Sequence, residues 1–165
     1  MVPGNLTACT LALVLCLCAC GQKSAEEPTA VAEPEAAGDG VAESGALSRT
    51  SSPEGARVFF ITPADGATVS NPIHIEFGIE GMAVVKAGDS QPDSGHHHLL
   101  IDTDLPDLGL PVPADANHVH FGDGSTSTEI TLEPGQHTLC LLLGDHLHIP
   151  HDPPLVSNPI TITVE

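Results

Sequence analysis

Tryptophan and tyrosine are absent from the 165-residue chain, phenylalanine occurs four times and methionine twice. A core must therefore be assembled from Ile, Leu, Val and a few Phe, without the large amphipathic rings that anchor many interfaces. Basic residues are almost as scarce: four Lys and Arg stand against 22 Asp and Glu, a formal charge of −18. That balance excludes nucleic acid as a partner, because phosphate binding needs clustered Lys and Arg. The same charge keeps the chain soluble and raises the local concentration of cations. No window carries the 3.6-residue apolar period of an amphipathic helix.

Cysteine is present five times, yet four of the five lie at Cys9, Cys16, Cys18 and Cys20. The apolar run from Leu6 to Ala19 is shorter than the ~20 residues needed to cross hydrocarbon and is followed at once by polar sequence, as in a cleaved signal. Leu17-Cys18-Ala19-Cys20-Gly21 resembles a lipobox, which implies a signal peptide at 1–19 and lipidation of Cys20. No Lys or Arg precedes the run, a departure from the usual charged leader. On this reading Cys140 is the single thiol of the mature chain, and no internal disulfide is available. Gly21 stands where an Asp would favour inner-membrane retention, so the resemblance to lipoprotein sorting signals implies export and anchoring at the outer membrane.

Residues 20–54 are mostly Ala, Glu, Pro, Gly and Ser, the composition of a disordered acidic tether. A coil of this length spans on the order of 30 Å. Over 55–165 the pattern changes to short runs with turn residues between them. Ile73, Ile75, Phe77 and Ile79 alternate with His74, Glu76, Gly78 and Glu80, the signature of a half-buried strand, which puts His74 toward solvent. Further strands are expected at Val58 to Ile61, His96 to Asp102, Asn117 to Phe121, Thr126 to Leu132, Gln136 to Leu143 and Ile160 to Val164. Pro134-Gly135 makes a tight connection between two of them. The expectation is an all-β fold, an immunoglobulin-like antiparallel β-sandwich of about seven strands behind a disordered tether. Ser70-Asn71-Pro72-Ile73 and Ser157-Asn158-Pro159-Ile160 are matching phrases, with proline at the strand entry where its missing N–H costs least.

The chain holds ten histidines, nine of them after residue 95. They fall into three clusters, His96-His97-His98, His118-Val119-His120, and His146 through His148 to His151, with His137 apart. Residues two apart on a strand point the same way, so His96 with His98, His118 with His120, and His146 with His148 each form a two-ligand fork. Two forks on neighbouring strands supply the three or four ligands that a transition metal takes, and imidazole suits Zn, Cu, Ni or Fe. The candidate metal ligands are thus His96, His98, His118, His120, His146, His148 and His151. Asp102, Asp123, Asp145 and Asp152 are candidates for orienting the far imidazole nitrogens, and Asp104 adjoins the same clusters. A plainer reading has strand-end histidines bonding backbone carbonyls to fasten the loops Thr103 to Ala116 and Gly144 to Pro154. A third is a proton-sensitive surface.

The blocks Gly95-His96-His97-His98-Leu99-Leu100-Ile101-Asp102, Asn117-His118-Val119-His120-Phe121-Gly122 and Leu143-Gly144-Asp145-His146 through His151-Asp152-Pro153-Pro154 resemble the bacterial family catalogued as domain of unknown function 4399. That resemblance runs from about Val58 to Val164 and brings no activity with it. His118-Val119-His120-Phe121-Gly122-Asp123 also looks like the copper-ligand strand of copper–zinc superoxide dismutases, although it lacks a residue between His120 and Phe121. The remaining ligands and the disulfide of that family have no counterpart here. Gly88-Asp89-Ser90 echoes a serine-hydrolase block without the following helix. Cys140 and His146 echo a blue-copper site, but Met82 is the single methionine after Cys20 and Cys140 lies inside an expected core strand, where a buried inert thiol is more usual.

These readings combine into a membrane-anchored envelope lipoprotein that binds copper or zinc without catalysis. The competing readings are an envelope module for protein or glycan partners and, more remotely, a dismutase-like copper enzyme.

Overall fold

The computed structural model of the protein describes residues 48–165. The expected signal peptide, Cys20 and most of the expected tether lie outside the described residues. The described chain is all β, with strands β1 (Arg57–Thr62), β2 (Thr68–Val69), β3 (Ile73–Glu80), β4 (Ala83–Val84), β5 (Ser94–Ile101), β6 (His118–His120), β7 (Ser127–Ile130), β8 (Gly135–Gly144) and β9 (Ile160–Val164). All seven expected strands are present; the two additions, β2 and β4, are two-residue pairings too short to leave a periodic signal.

The strands form two sheets. One has the order β1-β3-β7; the other runs β2-β9-β8-β5-β4, with β6 also paired to β5. Most pairings are antiparallel, but β2 with β9 and β4 with β5 run parallel. The sheets close on a shared core: Val58, Ile73, Ile75 and Phe77 from the smaller meet Leu99, Leu139, Leu141, Leu143 and Ile162 from the larger. In β3 the burial alternates from Ile73 to Phe77 as the period of two requires, leaving His74 exposed. Fully burying each such side chain contributes roughly 1.5–3 kcal/mol.

The larger sheet is covered on its outer side as well. There Leu100, Val112 and Leu142 make a second small core, with Leu108, Cys140 and Val156 packed against it. The loop between β5 and β6 and the segment after β8 supply that cover, which is why every residue of β5 is buried on both faces. A strand buried on both faces that nonetheless carries three consecutive histidines, His96, His97 and His98, is unusual.

Residues just before the expected boundary at 54 bond to the domain. Arg49 Nε donates to Pro150 O at 2.9 Å, and its guanidinium also reaches His151 O. Thr50 Oγ1 donates to Asp145 Oδ2 at 2.7 Å, and the amide of Asp152 donates to Thr50 O at 2.8 Å. Composition assigns these residues to the tether because polar strap contacts need no apolar pattern. Among the described residues no helix is long and apolar enough to cross a membrane.

Candidate metal centre

Strand β5 pairs with β6 so that His98 stands opposite His120 and Leu100 opposite His118. Its other edge pairs with β8, which sets His96 opposite Gly144. Because side chains alternate, His96, His98 and His120 share the outer face of the sheet while His97 points inward. His97 packs on Phe77 at a ring-centre distance of 5.2 Å.

The outer histidines converge. Ring centres are 4.8 Å apart for His96 and His98, 4.9 Å for His96 and His120, and 5.1 Å for His98 and His120. One nitrogen from each can be chosen so that all three lie within 4.8 Å of one another. His148 adds a fourth ring, 4.7 Å from His120, 4.9 Å from His96 and 6.0 Å from His98.

Glycine makes room for two of these rings. A Cβ built on Gly122 would stand 2.6 Å from His120 Nε2, and Gly144 accommodates the His98 ring in the same way. Neither residue was among the sequence-predicted site residues. Their signal is a glycine two residues from each histidine block; neither has a positive φ, although Gly122 lies in the turn that the Gly124 amide closes on Phe121 O.

His148 reaches the group from a turn, not from the extended strand that pairing it with His146 assumes. The amides of Leu147 and Ile149 donate to Asp145 Oδ1 at 2.8 and 3.0 Å, and the His148 amide donates to Asp145 O at 2.9 Å. These bonds hold His148 at φ 67°, a left-handed conformation that costs a non-glycine residue on the order of 1 kcal/mol. His146 sits on the same turn, half-buried, and is not among the three grouped ligands.

The other candidate ligands lie outside that group, although His118 Nε2 and His151 Nδ1 are also buried without a hydrogen-bond partner. His118 Nδ1 lies 2.8 Å from Asp115 Oδ1. His151 is buried, with Nε2 3.1 Å from Ser94 O. His137, set apart from the start, pairs with Asp102 Oδ2 at 2.6 Å and with Glu133 O at 2.8 Å. His151 thus makes a loop-fastening contact of the plainer reading, whereas the His137 bond to Glu133 O reaches only the short connection between β7 and β8. None of the four candidate acids is bonded to a ring of the group. Asp102 holds His137 and the Thr138 amide, Asp123 caps Ser125, Asp145 shapes the turn, and Asp152 faces Arg49 at 3.4 Å.

The electrostatics follow from burial. His96 is fully buried and its pKa falls to about 4, chiefly by desolvation and then by the neighbouring imidazoles His120 and His148. Burial, then His96, His120 and His148, take His98 to about 3, and burial alone takes His97 to about 4. His120 is lowered as well, by desolvation first and then by His148. These rings are therefore neutral at pH 7, the form in which imidazole offers a lone pair. Neither nitrogen of His96 has a hydrogen-bond partner, and Nδ1 of His98 has none. A buried polar atom left unpaired costs ~1–3 kcal/mol.

A cleft of about 260 Å³ opens over the group, lined by His98, His120 and His148 and walled by Pro111, Val112, Pro113 and Ala114. A larger groove of about 520 Å³ lies elsewhere, between Arg57, Phe59, Asp65 and Asn158, and contains no histidine.

An all-β sandwich with a histidine group on the covered face of its larger sheet is the class of protein that this fold and site define. The chain belongs to the family described as domain of unknown function (DUF4399), whose model matches residues 75–165 and so spans β5, β6 and the His148 turn. No curated protein matches the chain. Among solved structures it is similar to the fibronectin(III)-like modules of Clostridium thermocellum CbhA at 13% identity, covering 65% of this chain and 92% of that one with a TM-score of 0.30. The two-sheet architecture rests on the strand pairing above and not on that likeness.

Proposed function

We propose that the protein is a non-catalytic binding lipoprotein that captures one divalent transition metal ion, copper or zinc, through His96, His98 and His120. The observation that carries this reading is the convergence of three neutral imidazoles, one of them fully buried with both ring nitrogens unpaired. A metal ion uses one of those lone pairs and turns an uncompensated cost into a bond. The ring spacing supports it. With Zn–N near 2.0–2.1 Å, imidazoles bound tetrahedrally to one ion hold their ring centres roughly 5.2 Å apart, against 4.8 to 5.1 Å here.

The lipobox-like run ending at Cys20 and the acidic segment after it support anchoring at the cell envelope, with the domain held off a lipid surface. Labelled fatty acid incorporated by the native chain and lost in Cys20→Ala tests that part.

The metal reading is tested by elemental analysis and calorimetric titration with copper and zinc on tag-free protein. The expected result is uptake near one equivalent, abolished in His96→Ala and in His120→Ala with the fold retained. Uptake no greater than that of a histidine-poor control would sink the reading.

A further inference from the structure

The three grouped histidines all rise from the sheet, His96 and His98 from β5 and His120 from β6, so they occupy one side of any ion placed between them. His96 closes the floor, fully buried. The opposite side is the cleft of about 260 Å³ under Pro111, Val112, Pro113 and Ala114. We propose that an ion held by His96, His98 and His120 keeps one coordination position toward this cleft and takes there a small nitrogen or oxygen donor of two or three heavy atoms. His148 stands beside that donor and is not bound to the ion. The inference rests on the metal reading of the preceding subsection and extends it from an ion to an ion with an exchangeable ligand.

Two observations place His148 at the wall. Its ring centre is 4.7 Å from His120 and 4.9 Å from His96 but 6.0 Å from His98, and its nitrogens are not part of the set that lies within 4.8 Å. Its backbone is tied to the wall, since the Val112 amide donates to His148 O at 2.9 Å, and it is fixed from below by the Asp145 turn. Three protein ligands with a fourth position left open is the pattern of zinc sites that bind exogenous ligands, whereas purely structural sites are closed by four. The space is sufficient, since a water occupies ~30 Å³ of liquid volume. The wall offers apolar side chains in place of charges, which selects against large polar ligands and leaves the ion and the His148 ring as the polar contacts of a small one.

The test uses the full chain loaded with Cu(II) and titrated with azide, read by visible absorption and electron paramagnetic resonance. The expected result is a new azide-to-copper absorption band that saturates at one azide per copper. Ala114→Phe, on an exposed stretch of the wall, should still take up copper and weaken azide binding at least tenfold. His148→Ala should still bind one copper. Copper uptake with no azide band would mean that no position is open, and loss of copper in His148→Ala would make His148 the fourth ligand; either would overturn the proposal. Unchanged azide affinity in Ala114→Phe would put the donor outside the cleft and overturn it too. A native chain that takes up no copper would overturn the metal reading as well.

Discussion

Gly144 on β8 and His98 on β5 occupy one space: a Cβ built on Gly144 would lie 2.7 Å from His98 Cε1 and 3.2 Å from its Nδ1. The missing side chain is what lets an imidazole occupy the space over a neighbouring strand. Gly144→Ala forces the ring to shift, and overpacking of this kind costs ~1–3 kcal/mol. We expect a lower midpoint of urea unfolding and at least tenfold weaker copper or zinc binding by calorimetry. Wild-type affinity in this variant would mean that the position of the His98 ring is immaterial to the ion.

His118 and His120 are two residues apart, yet they separate in function. His120 belongs to the converging set, while His118 lies outside it, with Nδ1 on Asp115 and Nε2 buried without a partner. His120→Ala should therefore remove metal binding with little loss of stability. His118→Ala should lower stability by about 1 kcal/mol, the scale of one hydrogen bond, and leave the stoichiometry unchanged. Titration of the two single variants side by side, with thermal melts of each, checks both halves.

Acid should weaken the metal-free domain through its buried imidazoles. His96 and His97 are lowered to about 4 and His98 to about 3, against an ordinary value of 6.5, so the unfolded chain binds more protons than the folded one below 6.5. Their contribution is complete above pH 6.5 and is lost as pH falls toward 4. Each group adds a slope of at most about 1.4 kcal/mol per pH unit. His97→Leu removes one titrating group and two unpaired buried nitrogens from a site against Phe77. It should both stabilise the domain by ~1–3 kcal/mol at neutral pH and flatten the acid slope. A stability profile from urea melts that is level between pH 6.5 and 4 would contradict this account.

Asp145 acts on the site through the backbone. Burial alone would raise its pKa, but the Thr50 hydroxyl and the amides of Leu147 and Ile149 outweigh that and keep it ionised. Asp145→Ala leaves those donors without their acceptor and releases the strained turn at His148. The expected outcome is a loss of ~2–4 kcal/mol, together with rapid amide exchange at Leu147 and Ile149. Asp145→Asn retains an acceptor oxygen and should lose less.

Much of the architecture can be read from period-two alternation. Ile73 to Glu80 announces its own strand and its exposed histidine, and the same rule correctly separates His96 and His98 from His97. The rule fails where the chain is not extended. His146 and His148 are spaced like a strand pair, but Asp145 bends them into a turn, and an Asx turn in an acidic chain has no distinctive composition. Period two also says nothing of what a side chain meets. His118 and His120 share a face, yet Asp115, three residues before His118, takes the first of them. Gly122 and Gly144 are ambiguous for a related reason, since a glycine needed for close approach looks no different from one needed for a turn.

The strap at Arg49 and Thr50 ties the leading end of the described chain directly to the histidine turn. Tension applied at Ser48 is transmitted first to Pro150, His151 and Asp145 and only afterwards to the paired strands. The arrangement is that of a latch drawn by its own cord. Peeling the strap away would remove the Thr50 bond to Asp145 and the Arg49 bonds to Pro150 and His151, while the Asp145 bonds to Leu147 and Ile149 keep the turn itself in place, so the leading end of the described chain and its most specialised loop share one fastening.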